Sequence, residues 1–581
     1  MNQMDNAELT VDVLIIGTEA AGAKAAIEAH AEGATVLVVS KGAMGRSGAT
    51  VMAGSGVQAP LGHADARDNA DVFFEDVLRG GAFLNNQKLV ERLIGLANSE
   101  VVKMEKWGAS FAKTKDGKYV QFLGPGSTYP RSLNAMGGGM QWRKALRAEF
   151  KRQGITPLED FFVTKLLMSK GEVAGAVGIS IRDGRLMVLR GKTTILATGG
   201  CGQLFRHTDT PSGATGDGIA LAFNAGAEVM DMEFHQAFPY HTYGPPGRQY
   251  ISSAGLRYYL RGKIFNSQGE EFLDKYLPLS KGWGLRDPTS RAIFLENKAG
   301  RGTPSGGAYL SVSHLPANLI EDTLRTQKPR FFGKINQAGV DLSREAFEIG
   351  PAIHYTLGGV RVNDQCETTL PRLLAAGENA AGMDGAERID AGPAICWCLT
   401  MGYITGKEAA ARAKDLDWLP IDQREVEQER QRLEALFSRR EGITGDEIKE
   451  KIKDIMWEKC GLLRDKAGME EGLKAIRDIK EHDLPRLSVH GSSRCFNVGF
   501  VDALEVENMV PLAELTISAA LMRQESRRAH FRSDFPNADN QEWLKNIIAQ
   551  KSENQVAFKT ARPVIYKLEP PKEEGAEESH G

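Results

Sequence analysis

The segment Val11-Asp-Val-Leu-Ile-Ile-Gly-Thr-Glu-Ala-Ala-Gly22 decides the fold of the N-terminal part of the chain. Its first six residues form a short apolar run, rich in β-branched side chains and ending at a glycine, which is typical of a buried parallel strand. The sequence then predicts a helix over Ala20–Ala31 and a second strand over Thr35–Ser40. This order is a βαβ unit, whose first turn presents backbone N–H groups and the positive end of a helix.

The loop from Gly17 to Gly22 has the position and length of a GxGxxG dinucleotide-binding loop. Glu19 replaces the second glycine, and a carboxylate there repels phosphate unless its side chain turns away. Taken alone, the loop is as compatible with an ordinary strand–helix turn as with a nucleotide site. Three further segments in the expected order favour the nucleotide site. Their predicted contributors are Ser40 and Lys41, then Ala197, Thr198, Gly199 and Gly200, then Asp217 within Thr215-Gly-Asp-Gly218.

The rest of the chain predicts two more domains. Strand-like runs at Leu186–Leu189, Thr193–Ala197 and Arg372–Ala376 indicate that the first domain is discontinuous. A turn-rich, aromatic stretch predicts an inserted α+β capping domain, and Thr444-Gly-Asp-Glu447 has capping-box spacing before a helical region. The predicted fold class is α/β, with a Rossmann-like first domain. The predicted boundaries are 1–236 and 351–415 for that domain, 237–350 for the capping and substrate domain, 416–545 for the C-terminal helical domain and 546–581 for an extended tail.

Length and composition narrow the function classes. The 581 residues are enough for roughly two to four domains. A formal net charge of −3 gives no electrostatic case for nucleic acid. The six cysteines form no CxxC pair, so no metal or iron–sulfur site is predicted. No apolar run of about 18 residues predicts a membrane span, and the polar start of the chain does not resemble a signal peptide. We therefore expect a cytoplasmic protein, associated with a membrane only through a partner.

Several segments, in chain order, resemble those of the flavoprotein subunits of succinate dehydrogenase and fumarate reductase, whose relatives include aspartate oxidase and the adenylylsulfate reductase alpha subunit. The segments are Arg46-Ser-Gly-Ala-Thr50, Ala197-Thr-Gly-Gly200, Asp231-Met-Glu-Phe234, His354-Tyr-Thr-Leu-Gly-Gly359, Gly377-Glu378, Gly385-Ala-Glu-Arg388 and Arg523-Gln-Glu-Ser-Arg-Arg-Ala-His530. The resemblance extends from residue 11 to about residue 545 and implies a Rossmann-like FAD-binding domain. It also implies an FAD-dependent oxidoreductase that acts on CH–CH bonds, transferring hydride between flavin N5 and an unsaturated or saturated carboxylate.

The resemblance also implies which residues contact FAD. In relatives with covalent flavin, a histidine bonded to the flavin follows Arg-Ser; here Gly48 stands in its place, so the FAD is expected to be non-covalent. Pro393 suits the first turn of a helix whose positive end faces the isoalloxazine. Cys396 and Cys398 lie within that helix, where core packing is the simpler interpretation. The implied FAD-binding residues are Gly17, Glu19, Ala20, Ala21, Gly22, Ser47, Gly48, Ala49, Thr50, Gly377, Glu378, Arg388, Ala391, Gly392, Pro393 and Ala394.

Three residues are the catalytic candidates. Ser253-Ala-Gly-Leu-Arg257 resembles the family's Thr-Glu-Gly-Cys-Arg, which implies that Arg257 gives or takes the proton, with Tyr258, Tyr259 or Arg261 completing a relay. His354 and Arg388 match substrate-binding positions, and arginine and histidine are suited to holding a carboxylate. Phe238 stands where the family has another histidine. His235 and His241 are either substitutes for it or solvated surface residues.

Because the family's second histidine is replaced, the sequence leaves open the substrate, the electron acceptor and the exact function. Without the second histidine, a larger or less charged acid than fumarate is favoured. Electrons are expected to pass to a separate iron–sulfur or other redox subunit, with oxygen as the alternative acceptor. One rival function is an adenylylsulfate-reductase-like flavoprotein, in which sulfite attacks flavin N5. The other is an electron-transfer flavoprotein subunit whose substrate site has decayed.

Overall fold

The computed structural model describes residues 7–54, 56–244, 253–278, 285–491, 493–552 and 555–571, with the side chains of 329 and 330 excepted. These residues form two compact units. The first unit contains the described residues up to 206, residues 210–235 and those from 355 onward. The second contains residues 207–209 and the described part of 236–354, so it lies where the capping domain was predicted.

The strands are β1 (Ala7–Ile16), β2 (Val36–Val39), β3 (Gly56–Gln58), β4 (Gln121–Phe122), β5 (Ser132–Asn134), β6 (Phe161–Ser169), β7 (Glu172–Ser180), β8 (Leu186–Leu196), β9 (Val229–Met230), β10 (His235–Gly244), β11 (Lys263–Phe265), β12 (Ala308–Ser311), β13 (Phe347–Thr356), β14 (Gly359–Arg361), β15 (Leu373–Ala375), β16 (Ala380–Ala381), β17 (Ile443–Thr444), β18 (Leu487–Ser488), β19 (Asn546–Ser552) and β20 (Gln555–Ala561).

The α-helices are α1 (Ala20–Ala31), α2 (Ala49–Met52), α3 (Ala70–Gly80), α4 (Gln87–Lys106), α5 (Gly139–Arg152), α6 (Asp217–Asn224), α7 (Ala254–Leu260), α8 (Leu273–Tyr276), α9 (Arg286–Glu296), α10 (Ala317–Gln327), α11 (Pro329–Gln337), α12 (Pro393–Ala413), α13 (Gln423–Ser438), α14 (Gly445–Cys460), α15 (Lys466–Asp478), α16 (Val498–Met522) and α17 (Asn540–Trp543).

The central sheet of the first unit has the strand order β2-β1-β8-β7-β6, and β15 also pairs with β8. Strand β1 is parallel to β2 and β8, and β15 is parallel to β8. The segments predicted as separate strands at 186–189 and 193–197 are one strand, β8, because its residues pair with β1 without a break of direction. The carboxyl ends of these parallel strands meet at one edge of the sheet, where α/β proteins bind ligands.

Helix α1 packs against the long helix α12 at unusually short range. A Cβ at Gly402 would lie 2.6 Å from the Ala21 carbonyl oxygen, and one at Gly406 would collide with the Ala25 carbonyl oxygen. Because both positions are glycine, the two helices approach backbone to backbone. This contact fixes the start of α1, and with it the predicted dinucleotide loop.

The C-terminal part of the chain contains both a confirmed prediction and a wrong one. Thr444 and Glu447 form the predicted capping box at the start of α14. The tail expected from residue 546 is instead a hairpin, β19–β20, and β19 pairs with β9 in a five-stranded sheet. The apolar residues Ile547 and Ile548 are buried there, which supplies the free energy that an extended tail lacks. Residues 572–581 lie outside the described part of the chain.

The second unit is built on a four-stranded sheet with the order β10-β13-β12-β11. Its buried core includes Leu256 of α7, Ile293 of α9, and Leu310 and Phe347 of the sheet. The segment 207–209 belongs to this unit because it runs beside β13: the Asp209 N–H donates to the Ile353 carbonyl. In the described part of the chain, no helix is both long and apolar enough to cross a membrane.

Candidate active site

The first unit brings the predicted dinucleotide loop against two later segments. Gly17 has φ +118°, and a Cβ there would collide with the Ala197 carbonyl oxygen. A Cβ at Gly377 would lie 3.0 Å from the Ala21 Cβ, while Gly199 (φ +82°) faces open space. Only glycine permits this approach of backbones beside the first turn of α1. The residues present therefore fit an FAD-binding loop, whose N–H groups and helix end would hold the pyrophosphate.

The sequence segments around Lys41 and Asp217 also come together. Lys41 Nζ lies 2.7 Å from Asp217 Oδ2 and donates to the Thr215 hydroxyl at 3.0 Å. The other oxygen of Asp217 accepts from the amide of Asn508 at 3.0 Å. Asp217 was expected to bind a sugar hydroxyl, but both of its oxygens have protein partners. Within this structure it fixes the lysine at the end of β2.

Glu19 is accommodated because its side chain turns towards the segment from Gly45 to Thr50. Its carboxyl oxygen accepts the Gly45 N–H at 3.2 Å, and its Cγ lies over Gly48. Burial raises the pKa of this carboxyl to about 7, against the opposing hydrogen bonds of Thr50 and Gly45. The carboxyl thus changes its ionisation near neutral pH.

Glu378 and the residues at the start of α12, which are also predicted to contact FAD, belong to the first unit as well. Glu378 accepts the Thr356 N–H at 3.0 Å, and its side chain lies over Gly200. Helix α12 begins at Pro393 as predicted, after Ala391 (φ +64°) and Gly392 (φ +128°). Its first-turn N–H groups therefore point out of the helix end, where they favour negative charge.

The two cysteines of α12 are not activated thiols. Cys396 is buried, and Cys398 lies beside Gly377, where a Cβ would be 3.2 Å from its sulfur. Burial raises the pKa of Cys398 to about 12 and also raises the pKa of Cys396. A neutral thiol is a poor nucleophile, so packing is the role that these groups support.

Arg388 is buried in the first unit and oriented by its neighbours. Its guanidinium lies 4.3 Å from the centroid of the Tyr355 ring, in cation–π contact. Burial raises the pKa of nearby Asp384 to about 6, although the charge of Arg388 and a 2.7 Å hydrogen bond from the Trp397 indole oppose the rise. An arginine held in one orientation is prepared to bind a carboxylate bidentately.

In the second unit, His354 is paired with a carboxylate that was not predicted from the sequence. Its Nδ1 lies 2.8 Å from Asp209 Oδ2. Burial by itself raises the pKa of Asp209, but His354 outweighs it, with smaller effects of His241 and Arg286, so this pKa lies below its ordinary value. The ionised carboxylate fixes the imidazole ring, and Nε2 of the protonated ring is then a donor for an anion.

Phe238 lies against His354 and Arg286 in this unit. Its ring centroid is 5.3 Å from that of His354, and the Arg286 guanidinium lies 5.0 Å from it. Arg286 also donates to the side chain of Gln236 at 3.3 Å. Arg286 was not predicted from the sequence; the only local signal was its place at the start of a helix, next to Asp287, whose carboxylate accepts the Ala237 N–H at 2.9 Å.

The residues predicted to transfer a proton, Arg257, Tyr258 and Arg261, make other contacts in the second unit. Arg257 is buried within α7, and its Nη1 donates to the Gly262 carbonyl at 2.5 Å, as a helix-end side chain does. Tyr258 packs edge-on against Tyr240 at 5.5 Å, and Tyr240 does the same against Phe238. Arg261 is exposed at the end of the helix. The structure thus assigns Arg257 a structural contact, and its catalytic role stays a prediction.

The histidines proposed as substitutes for the missing one are not on the solvated surface. His235 is buried in the first unit, with its Nε2 3.5 Å from the Cys201 sulfur, and burial lowers its pKa to about 3. His241 is buried in the second unit, where burial lowers its pKa although Asp209 opposes the shift. Only His241 therefore belongs to the set around Asp209.

The chain is similar in sequence to flavoproteins over nearly its whole length. The family described as FAD binding domain matches residues 12–392, and the one described as fumarate reductase flavoprotein C-term matches residues 449–575. A fumarate reductase (CoM/CoB) subunit of Methanothermobacter marburgensis is 35% identical over 93% of this chain and 97% of that protein.

Solved structures give the same result. Sdh1 of Mycobacterium smegmatis matches with a TM-score of 0.85 and 31% identity, covering 96% of this chain and 94% of that chain. FrdA of E. coli quinol fumarate reductase matches with a TM-score of 0.89 and 26% identity, over 97% of this chain and 99% of that one. These proteins share nearly the whole length of the chain, so both units of the fold are included in the likeness.

Proposed function

Because the chain belongs to the family of fumarate reductase and succinate dehydrogenase flavoprotein subunits, FAD-dependent oxidoreductases that act on CH–CH bonds, we propose that it reduces the C=C bond of a carboxylic acid whose far end is apolar, aromatic or thioester-linked. The single observation that carries this proposal is the contact of Phe238 with both His354 and Arg286. An aromatic ring at this point offers no donor to a second carboxylate, and an anion left unpaired in a dry site is costly.

Bound FAD supplies the electron pair, as hydride from N5. The chain's own residues hold the acid and stabilise charge on it. We propose two groups that each can bind a carboxylate: Arg388 of the first unit, which can form two parallel hydrogen bonds, and the Nε2–H of His354 in the second unit, which Asp209 orients. As the C=C bond is reduced, negative charge develops towards the carboxylate, and fixed cations lower the energy of that state.

Arg286 replaces Arg257 as our leading candidate for the proton-transfer region of the second unit. It shares the neighbourhood of Asp209 and His354, whereas Arg257 is engaged with a backbone carbonyl. A guanidinium does not give up a proton unaided, because its pKa is above about 12. Arg286 therefore acts with Asp209 beside it, either as a charge that stabilises the transition state or as one member of a relay.

A panel of enoates tests the substrate proposal. Steady-state kinetics with reduced flavin should give the highest kcat/KM for acids with an apolar or aromatic far end, because a single anion clamp is present. The matched comparison is fumarate against a mono-acid of similar size. If fumarate is the best substrate, with kcat/KM of about 10⁴ M⁻¹s⁻¹ or more, the inference from Phe238 is wrong. Fumarate is the second candidate substrate, since the relative from Methanothermobacter marburgensis is named a fumarate reductase.

We also propose that the FAD is not covalently attached. Gly48, which is the residue at the position of the bonded histidine in the resemblance, has no nucleophilic side chain. Precipitation of the holoprotein with acid should release all flavin into the supernatant as intact FAD. The measurement is absorbance of supernatant and pellet, with a covalent flavoprotein treated in parallel as the control. Flavin colour retained in the washed pellet would contradict the proposal.

We propose that electrons reach or leave the flavin through a second protein, with oxygen as the alternative acceptor. The relative from Methanothermobacter marburgensis is named as one subunit of its enzyme. In the described residues of this chain, no group of histidine, cysteine, aspartate and glutamate side chains has the arrangement of a metal site. We propose that the partner is an iron–sulfur or other redox subunit. Membrane association, where it occurs, would arise through that partner.

A further inference from the structure

Glu19 and Gly48 are complementary in shape. A Cβ at Gly48 would lie 2.5 Å from the Cγ of Glu19 and 2.9 Å from its Cδ, so a larger residue at 48 would require the glutamate side chain to move. Gly48 also has φ +81°, which favours glycine. The carboxyl side chain thus occupies space that faces the dinucleotide loop and the segment from Arg46 to Thr50, both of which are expected to contact FAD.

The carboxyl group of this half-buried residue has its hydrogen-bond partners in the segment from Gly45 to Thr50. It accepts the Gly45 N–H at 3.2 Å and interacts with the Thr50 hydroxyl, which itself accepts the Ala20 N–H at 3.0 Å. Its side chain does not cap α1, although Glu19 is the residue that precedes the helix. A small cavity at this helix end is lined by Glu19, Ala20 and Thr50.

Three other charged side chains lie near the carboxyl of Glu19. Arg143 and Arg147 of α5 line the same cavity, and Arg147 donates to the Met44 carbonyl at 3.2 Å. Glu159 accepts the Met44 N–H at 2.8 Å from the other side. Of these, Arg143 acts on the carboxyl of Glu19 and lowers its pKa, but burial has the larger effect, and the pKa stays raised at about 7.

We propose that Glu19 is a proton-dependent ligand of FAD: its neutral carboxyl donates a hydrogen bond to the bound cofactor, and its ionised carboxylate repels the cofactor's pyrophosphate. A neutral carboxylic acid has one O–H donor, which suits a phosphate oxygen, whereas a carboxylate can only accept. Because Glu19 directly precedes α1, a negative charge on its carboxyl would oppose the binding of a second anion at that helix end. The inference rests on FAD binding alone and is independent of the substrate proposed above.

The direction of the pH effect follows from linkage. The neutral form binds FAD, and the pyrophosphate keeps its charge over the pH range considered, so Glu19 is the group that titrates. Below pH about 7 the dissociation constant is constant, and above it the constant rises by up to about tenfold per pH unit, because a proton must first be taken up. Because FAD binds the neutral form, bound FAD raises the pKa of Glu19 further. As the pH rises, the affinity for FAD therefore falls while the carboxyl of the FAD-bound protein is still protonated.

Titration of the apoprotein with FAD, followed by quenching of flavin fluorescence between pH about 6 and about 9, tests this linkage. The wild type should show the rise in dissociation constant above pH about 7. Glu19→Gln, which keeps a donor and cannot ionise, should bind with one affinity throughout, and Glu19→Gly should also lose the pH dependence. Glu159→Gln is the matched control, since it removes a neighbouring carboxylate and should keep the wild-type slope.

A further variant tests the electrostatics independently of affinity. Arg143→Gln removes the charge that lowers the pKa of Glu19, so the rise in dissociation constant should begin at a higher pH than in the wild type. A wild-type dissociation constant that does not change with pH would overturn the proposal. So would an unchanged slope in Glu19→Gln or Glu19→Gly that retain the circular dichroism spectrum of the wild type.

Discussion

Substituting Arg286 with glutamine is expected to lower kcat by about 10²–10³-fold, the usual effect of removing one group that stabilises charge in the transition state. The guanidinium lies over the Phe238 ring and acts on Asp209, the partner of His354. Glutamine keeps a polar side chain with a hydrogen-bond donor but is shorter than arginine and carries no charge. Steady-state kinetics on the best acid of the enoate panel would measure the effect, with FAD content determined on the same sample.

Arg257→Gln is the matched control, because it makes the same chemical change in the same unit. Its guanidinium donates to the Gly262 carbonyl and is buried, so the variant should lose about 1–3 kcal/mol of unfolding free energy while kcat stays within a few-fold of the wild type. Chemical denaturation would measure that loss. The reverse result, with kcat lost in Arg257→Gln and kept in Arg286→Gln, would restore the assignment made from the sequence and refute ours.

The fold could be predicted where the signal is local. Helix α1 has the predicted bounds, and the capping box of α14 is present, because both depend on residues within a few positions of one another. The hairpin in place of the predicted tail has no local signal, because the burial of the apolar run Ile547–Ala549 depends on pairing with distant β9. Pairing partners far apart in sequence leave no periodicity to detect.

As with the fold, some parts of the candidate site could be predicted from the sequence and others could not. The close backbone contacts of Gly17 and Gly377 occur at glycines that the motif positions mark, and the assignment of these segments to FAD stays a prediction. In the cluster around Asp209, His354 and His241 were candidates from the sequence, but Asp209 and Arg286 were not, because the four residues come from separate segments. A short segment, 207–209, leaves the first unit to supply the carboxylate, and no composition or spacing marks it as part of the second.

Burial decides which of the ionisable candidates are suited to a chemical role. His235 and Cys201 are adjacent, yet burial lowers the pKa of the imidazole to about 3 and raises the pKa of the thiol to about 12. Both groups are therefore neutral near pH 7, and neither attracts an anion. His354 differs because it has a carboxylate partner within 2.8 Å, so a charged imidazole is stabilised there.

Phe238→His is expected to raise kcat/KM for fumarate by about 10- to 100-fold, since a hydrogen bond to a charged group is worth about 1.5–3 kcal/mol. The new imidazole would stand on β10 next to His354 and Arg286, where the ring of Phe238 now lies. It would offer a dicarboxylate an additional donor at this position. For an acid with an apolar far end, the same substitution should lower kcat/KM, because a polar ring replaces an apolar contact.

Phe238→Leu separates this gain from a general loosening of the site. It removes the ring, and with it the contact to Arg286, without adding a donor, so it should not improve fumarate turnover. A gain in both variants would mean that the bulk of Phe238, not its lack of a donor, limits dicarboxylates. A different result is no gain in Phe238→His, with FAD content and melting temperature close to those of the wild type. It would mean that this position does not contact the far end of the substrate. We would then expect specificity to arise from His241 on the same strand.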